Sequence, residues 1–240
     1  MQQKQAGVLQ VLEDEIPKFG RLRQNESPPC AGFLSSSRTR KRIGLGANMG
    51  YVPQVQQIAN LVEYHNYWID DGQGNRVVNP AFDGNCRMLL DLKRDTERGH
   101  NAAVTHFSRE VEAFLAAHGV PPPNLQVLIA IVPSSKQGTW GAGLEKIAAN
   151  LIRRNANFID ATRVLERTTT IQKLAAGGNR NQAVHQASIR IGNGGAKIAQ
   201  KTILLLDDIT TTGNSLVACA DLLCRAGAAT VMPLALGRTT

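Results

Sequence analysis

Apolar and polar positions alternate along this chain in two textures. From residue 123 onward, short apolar runs take turns with amphipathic stretches. NLQVLIAIV, residues 124 to 132, is a continuous apolar run and predicts a strand buried on both faces. PSSKQGTWGAG predicts a loop. LEKIAANLIRRNA then puts Leu144, Ile147, Ala148 and Leu151 on one face of a helix. NFIDA predicts a short second strand, ERTTTIQKLAAGGNRNQAVHQ a polar connection, ASIRI a strand and GNGG a turn. KTILLLDD predicts another buried strand, SLVACADLLCRAGA a helix stopped at Gly227, and ATVMPLALG a last strand. Strands and helices in this alternation imply an α/β fold, a doubly wound parallel sheet with helices on both faces.

The first 122 residues are less regular. GANMGYVP and DDGQGN read as turns, and LVEYHNYWID with RVVNP predicts a hairpin across DDGQGN. CRMLLDLKRD is expected to pack on the core. AVTHFSREVEAFLAAHG is a clear helix, with Val104, Phe107, Val111, Phe114 and Leu115 at helical spacing and a stop at Gly119 and Pro121–Pro123. The chain therefore divides into an added module, residues 1–122, and a core, residues 123–240.

Composition narrows the class. The 240 residues are 42% hydrophobic and 19% charged, as in a globular protein. VLIAIV and ILLLD are far below the roughly 20 residues of a membrane span, and MQQKQAGVLQVLEDE lacks the apolar core of a signal peptide. A cytoplasmic protein without a membrane partner is expected. Cys30, Cys86, Cys219 and Cys224 form no CxxC pair and read as thiols, neither disulfide nor zinc ligands. His100 and His106 are expected at the surface, and His65 in a local cluster with Tyr64, Tyr67 and Trp68. The net charge of +8 suits anionic partners: phosphorylated metabolites, an anionic surface, or nucleic acid, the last through SRTRKR (Arg38, Arg40, Lys41, Arg42).

The sharpest chemistry lies in ILLLDDITTTGNS, residues 203 to 215. A buried strand ends in Asp207 and Asp208, whose carboxylates can accept from vicinal hydroxyls or help hold a divalent cation. Small hydroxyl residues then lead into a helix, whose first amides cradle anions. Gly213 permits close backbone approach. Ribose at the aspartates and a 5′-phosphate at the helix start fit this order of residues.

DDITTTGNS resembles the 5-phosphoribosyl-1-diphosphate (PRPP) motif of the type I phosphoribosyltransferases, although Thr210 stands where an aliphatic residue is usual. Thr211 replaces the aspartate found in purine-salvage members, which disfavours oxopurine salvage. VPSSKQG and the C-terminal SLVACADLLCRAGAATVMPLALGRT are similar to segments of amidophosphoribosyltransferase-like and ComF-like domains. The likeness covers roughly residues 125 to 240, and the four-cysteine zinc ribbon frequent in ComF-like proteins is missing.

The resemblance implies the type I phosphoribosyltransferase fold, with residues 1–122 as a hood or added module. It implies Asp207 and Asp208 on the ribose hydroxyls and on Mg²⁺, partly through the ligand. Thr210, Thr211, Thr212, Gly213, Asn214 and Ser215 would bind PRPP, Ser134, Ser135 and Lys136 the pyrophosphate. A mobile loop would offer Arg167, Lys173 or Arg180, and Arg238 would lie near the site. The implied reaction displaces pyrophosphate from C1 of the ribose with a nitrogen nucleophile: ammonia, a base or a group on a macromolecule. A homodimer is implied as well. The alternative is a PRPP-fold regulator or nucleic-acid-binding protein without turnover, in DNA uptake or defence.

Overall fold

The computed structural model describes residues 57–96, 98–172, 181–192 and 198–240. In chain order the elements are β1 (Ala59–Tyr64), β2 (Trp68–Asp70), β3 (Arg76–Val78), α1 (Gly84–Lys93) and α2 (His100–Ala117). There follow β4 (Val127–Ile131), α3 (Ala142–Arg154), β5 (Phe158–Asp160), β6 (Leu165–Arg167), α4 (Gln182–Ser188) and β7 (Ile189–Ile191). The last three are β8 (Thr202–Thr210), α5 (Asn214–Arg225) and β9 (Thr230–Thr239).

Five strands form one parallel sheet in the order β1-β9-β8-β4-β5. The two apolar runs lie side by side at its centre, with Val127 opposite Thr202 and Ile131 opposite Leu206. Alternate residues serve opposite cores. Ile129, Ile131, Leu204 and Leu206 pack with helices α1, α2 and α3, whereas Leu128, Ala130, Ile203 and Leu205 pack with α5. Both faces are covered, so neither strand tolerates polar residues until its end. The fold is thus α/β, a parallel sheet with helices on both sides. No helix among the described residues is long and apolar enough to cross a membrane.

Helical stripes land where their spacing places them. Val104, Phe107, Val111 and Leu115 of α2 are buried, as are Leu144, Ile147, Ala148 and Leu151 of α3. The hairpin also forms, but only β2 and β3 pair in it. Asp70 and Asp71 shape its turn by accepting from the amides of Gly72, Gln73, Gly74 and Asn75.

The division at residue 122 does not describe the packing. β1 pairs along β9 in the central sheet, and Leu89, Leu92 and Phe107 share one apolar cluster with β4, α3, β8 and β9. Elements β1, α1 and α2 are therefore integral to the core, whereas the β2–β3 hairpin stands outside it. Pattern missed this because β1 is half-buried without a clear period, so its residues read as one arm of the hairpin. CRMLLDLKRD packs on the core as α1. Two further departures are local. Glu166 and Arg167, read as the start of the polar connection, pair with β7 as part of β6, and Ala187 and Ser188 of ASIRI belong to α4. His100 is buried rather than at the surface, with Nδ1 3.2 Å from the Asp91 carbonyl.

Gly143 tests this packing. A Cβ there would lie 2.5 Å from Leu92 Cγ and 2.6 Å from the Leu92 carbonyl oxygen. On a helix facing nothing, Gly143→Ala would stabilise by up to about 1 kcal/mol. Against α1 it is expected to destabilise, by roughly 1–3 kcal/mol. Denaturant unfolding decides the sign.

Candidate functional site at the strand ends

Parallel strands bring their C-terminal ends to one edge of the sheet. The amide of Val132 donates to the Leu206 carbonyl at 2.9 Å, one rung beyond the paired residues of β4. At that rung β4 gives way to the segment Pro133–Thr139, while β8 runs on beside β9 through Asp207 and Asp208 to Thr210 before the turn at Gly213. Sequence reasoning placed candidates in both, and the topology brings them together.

The pleat sends the two aspartates to opposite faces. Asp207 turns toward α5, where Oδ2 accepts from Ser215 Oγ at 2.9 Å, and Oδ1 accepts from the Asp208 amide at 2.9 Å. It is only 9% exposed. Asp208 turns toward α1 and is half-buried, with Oδ2 3.4 Å from Lys93 Nζ. Burial, and then the Asp208 charge, push the Asp207 carboxyl up to about 7. Hydrogen bonds from Ser215 and the Asp208 amide oppose that rise, and the Lys93 charge opposes it more weakly. Lys93 is the site residue that sequence reasoning missed. A lysine in the last turn of a helix reads as an ordinary favourable end charge, and only the fold carries it to Asp208.

Beyond the aspartates, Thr210 is buried in β8 while Thr211 and Thr212 are exposed. Thr211 Oγ1 lies 3.1 Å from Thr239 Oγ1 at the end of β9. Gly213 has φ of +77°, the left-handed region, and begins α5 without a side-chain cap. A Cβ there would also collide with Ile58 Cδ1. Glycine is thus demanded twice, by backbone conformation and by an aliphatic side chain from the N-terminal half. Asn214 and Ser215 form the first turn of α5.

In the neighbouring loop, Ser134 is occupied internally. Its hydroxyl bonds to Thr139, and its amide donates to the Thr139 carbonyl at 3.0 Å. Ser135 is half-buried and Lys136 exposed. Arg167 lies in β6, fully buried behind this loop. Lys173, Arg180, Cys30 and the SRTRKR run lie outside the described residues. Arg238 is exposed near the end of β9, opposite Thr210.

The other candidates sit apart. Tyr67 packs edge-on against Trp68 and Phe82, with centroids 4.8 and 4.9 Å away. His65 Nδ1 is 3.1 Å from Thr240 Oγ1. Cys86 and Cys219 are buried thiols, and burial pushes the Cys219 thiol up. No cluster of three or more His, Cys, Asp or Glu suited to a metal occurs among the described residues. No family model matches the chain, and no curated protein matches it.

The raised Asp207 carboxyl makes stability depend on pH. The folded state holds that proton more tightly than the unfolded chain, so Asp207 costs stability as pH rises from about 4 through about 7. Unfolding at pH 5 and pH 8 is expected to show a loss that Asp207→Asn reduces by more than about 1 kcal/mol. An equal pH dependence in both proteins would contradict the burial of this charge.

Proposed function

We propose that the chain is a type I phosphoribosyltransferase that binds PRPP with Mg²⁺ and passes its ribose 5-phosphate to a nitrogen nucleophile. One observation carries this: the carboxylates of β8 follow directly on Leu206, whose carbonyl accepts from the Val132 amide where β4 passes into the Pro133–Thr139 loop. Such an edge suits a ligand with a diol in the middle and a phosphate at each end. The 5′-phosphate belongs at Thr211–Ser215, where exposed hydroxyls meet the uncapped start of α5. The ribose hydroxyls belong on Asp208, whose carboxylate is accessible, with Asp207 behind it holding the turn through Ser215. The diphosphate belongs at Ser135 and Lys136.

Mg²⁺ fits this donor set. Asp207 is nearly buried with both oxygens engaged. Asp208 accepts from the Ile209 amide and pairs with Lys93 but is the more exposed of the two, so it would be the carboxylate to reach the ion. One carboxylate with ligand oxygens completing the shell is a usual arrangement for this ion. When bound, the ion would offset negative charge on the leaving diphosphate. In the reaction, the nitrogen lone pair forms a bond to C1 as the C1–O bond breaks. That electron pair leaves with pyrophosphate, and the nitrogen then loses its proton. Positive charge gathers on the ribose ring meanwhile, near the Asp207–Asp208 carboxylates. Lys136 balances charge on the departing group.

PRPP with Mg²⁺ is expected to stabilise the protein by on the order of 2–3 kcal/mol at about a hundredfold excess over Kd. Asp208→Asn should lose most of that gain. Pyrophosphate release should follow when ammonia, purine or pyrimidine bases are screened as acceptors. A protein that neither gains thermal stability with PRPP nor releases pyrophosphate would refute the assignment.

A further inference from the structure

We propose that Arg167 is a positioning residue that turns the backbone of the Pro133–Thr139 loop into an anion receptor. It rests on the phosphoribosyltransferase reading above. The guanidinium is fully buried, yet it faces peptide groups rather than filling an apolar space. Nε donates to the Ser134 carbonyl and Nη2 to the Pro133 carbonyl at 3.4 Å. Nη1 donates to Ser188 Oγ at 2.7 Å, and Nη2 lies 3.4 Å from His185 Nδ1, so α4 holds the far side of the fork.

The segment after β6 continues the pattern. The Ile171 amide donates to the Ser135 carbonyl at 2.9 Å. Carbonyls of three successive loop residues are therefore drawn toward the segment 167–171. Val120–Pro121 is the only cis peptide among the described residues, so the loop peptides are trans. In a trans peptide the N–H of the next residue points opposite to the carbonyl. The amides of Ser135 and Lys136 must then point away from Arg167 and Ile171. Two successive amides turned the same way, with a fixed cation behind them, make a receptor for phosphate oxygens. Lys136 adds a mobile charge outside.

Chemistry also says why this residue is arginine. A buried charge costs desolvation, which packing alone would not repay. A planar fork holds its donors in the fixed directions of two adjacent carbonyls and a hydroxyl, whereas an ammonium concentrates its three donors on one atom at the end of a flexible stem. Sequence reasoning expected Arg167 among mobile-loop residues that reach the ligand. Its place in β6 makes it act through the loop instead.

Calorimetric titration with two probes tests the idea: inorganic pyrophosphate with Mg²⁺, and ribose 5-phosphate. Arg167→Met and Arg167→Lys are expected to weaken pyrophosphate binding by about tenfold or more while ribose 5-phosphate changes by less than about twofold. Ser188→Ala, which removes one prong of the fork, should shift pyrophosphate alone by about two- to threefold. Should Arg167→Met fail to fold, Arg167→Lys and Ser188→Ala decide by the same comparison. Equal weakening of both probes, or no weakening of pyrophosphate, would overturn the positioning role while leaving the function intact. Wild-type protein that binds neither probe would overturn the function and this role together.

Discussion

A single backbone hydrogen bond, from the Val132 amide to the Leu206 carbonyl, sets the geometry on which the site depends. It is the last rung between β4 and β8: beyond it the first turns away through Pro133 and Ser134, while β8 runs on beside β9 through Asp207 and Asp208 to Thr210. Because the strands are parallel and in register, both run in the same direction past this rung, and β8 carries its aspartates just beyond the end of β4. Under the proposed function, this strand order alone sets the segment assigned to diphosphate next to the strand that carries the ribose carboxylates.

Charge at this edge is held under tension. Asp207 lies at the boundary of the α5 core, and burial together with Asp208 keeps its carboxyl near neutrality in its titration. Lys93 on the opposite face partly offsets the charge of Asp208. Both acids have partners within the protein: Asp207 accepts from Ser215 and the Asp208 amide, and Asp208 accepts from the Ile209 amide and pairs with Lys93.

Much of this was legible in the sequence. Continuous apolar runs identified β4 and β8, stripes identified α2, α3 and α5, and the order of residues after Leu206 placed the loop and the glycine turn. What could not be read depends on contacts between distant segments. Lys93 and Arg167 acquire their roles only when α1 meets β8 and β6 meets the Pro133–Thr139 loop. The pleat splits the Asp207–Asp208 pair, which linear reading treats as one unit. The glycines held a further signal. Gly143, Gly213 and Gly237 each lie where an added Cβ would strike an aliphatic side chain of the N-terminal half: Leu92, Ile58 and Leu89 respectively. They mark where the first half of the chain presses onto the second, which the division at residue 122 overlooked. Two of them owe their identity to that packing rather than to a ligand, and Gly213 owes it in part.

The central claim is that the two loops act as one receptor. Backbone amide NMR of the full chain, titrated with PRPP and Mg²⁺, tests it most directly. Amides of Ser135 and Lys136 should shift along one binding curve with those of Thr211 to Ser215. Shifts confined to one loop, or centred on the Trp68–Val78 hairpin instead, would contradict it.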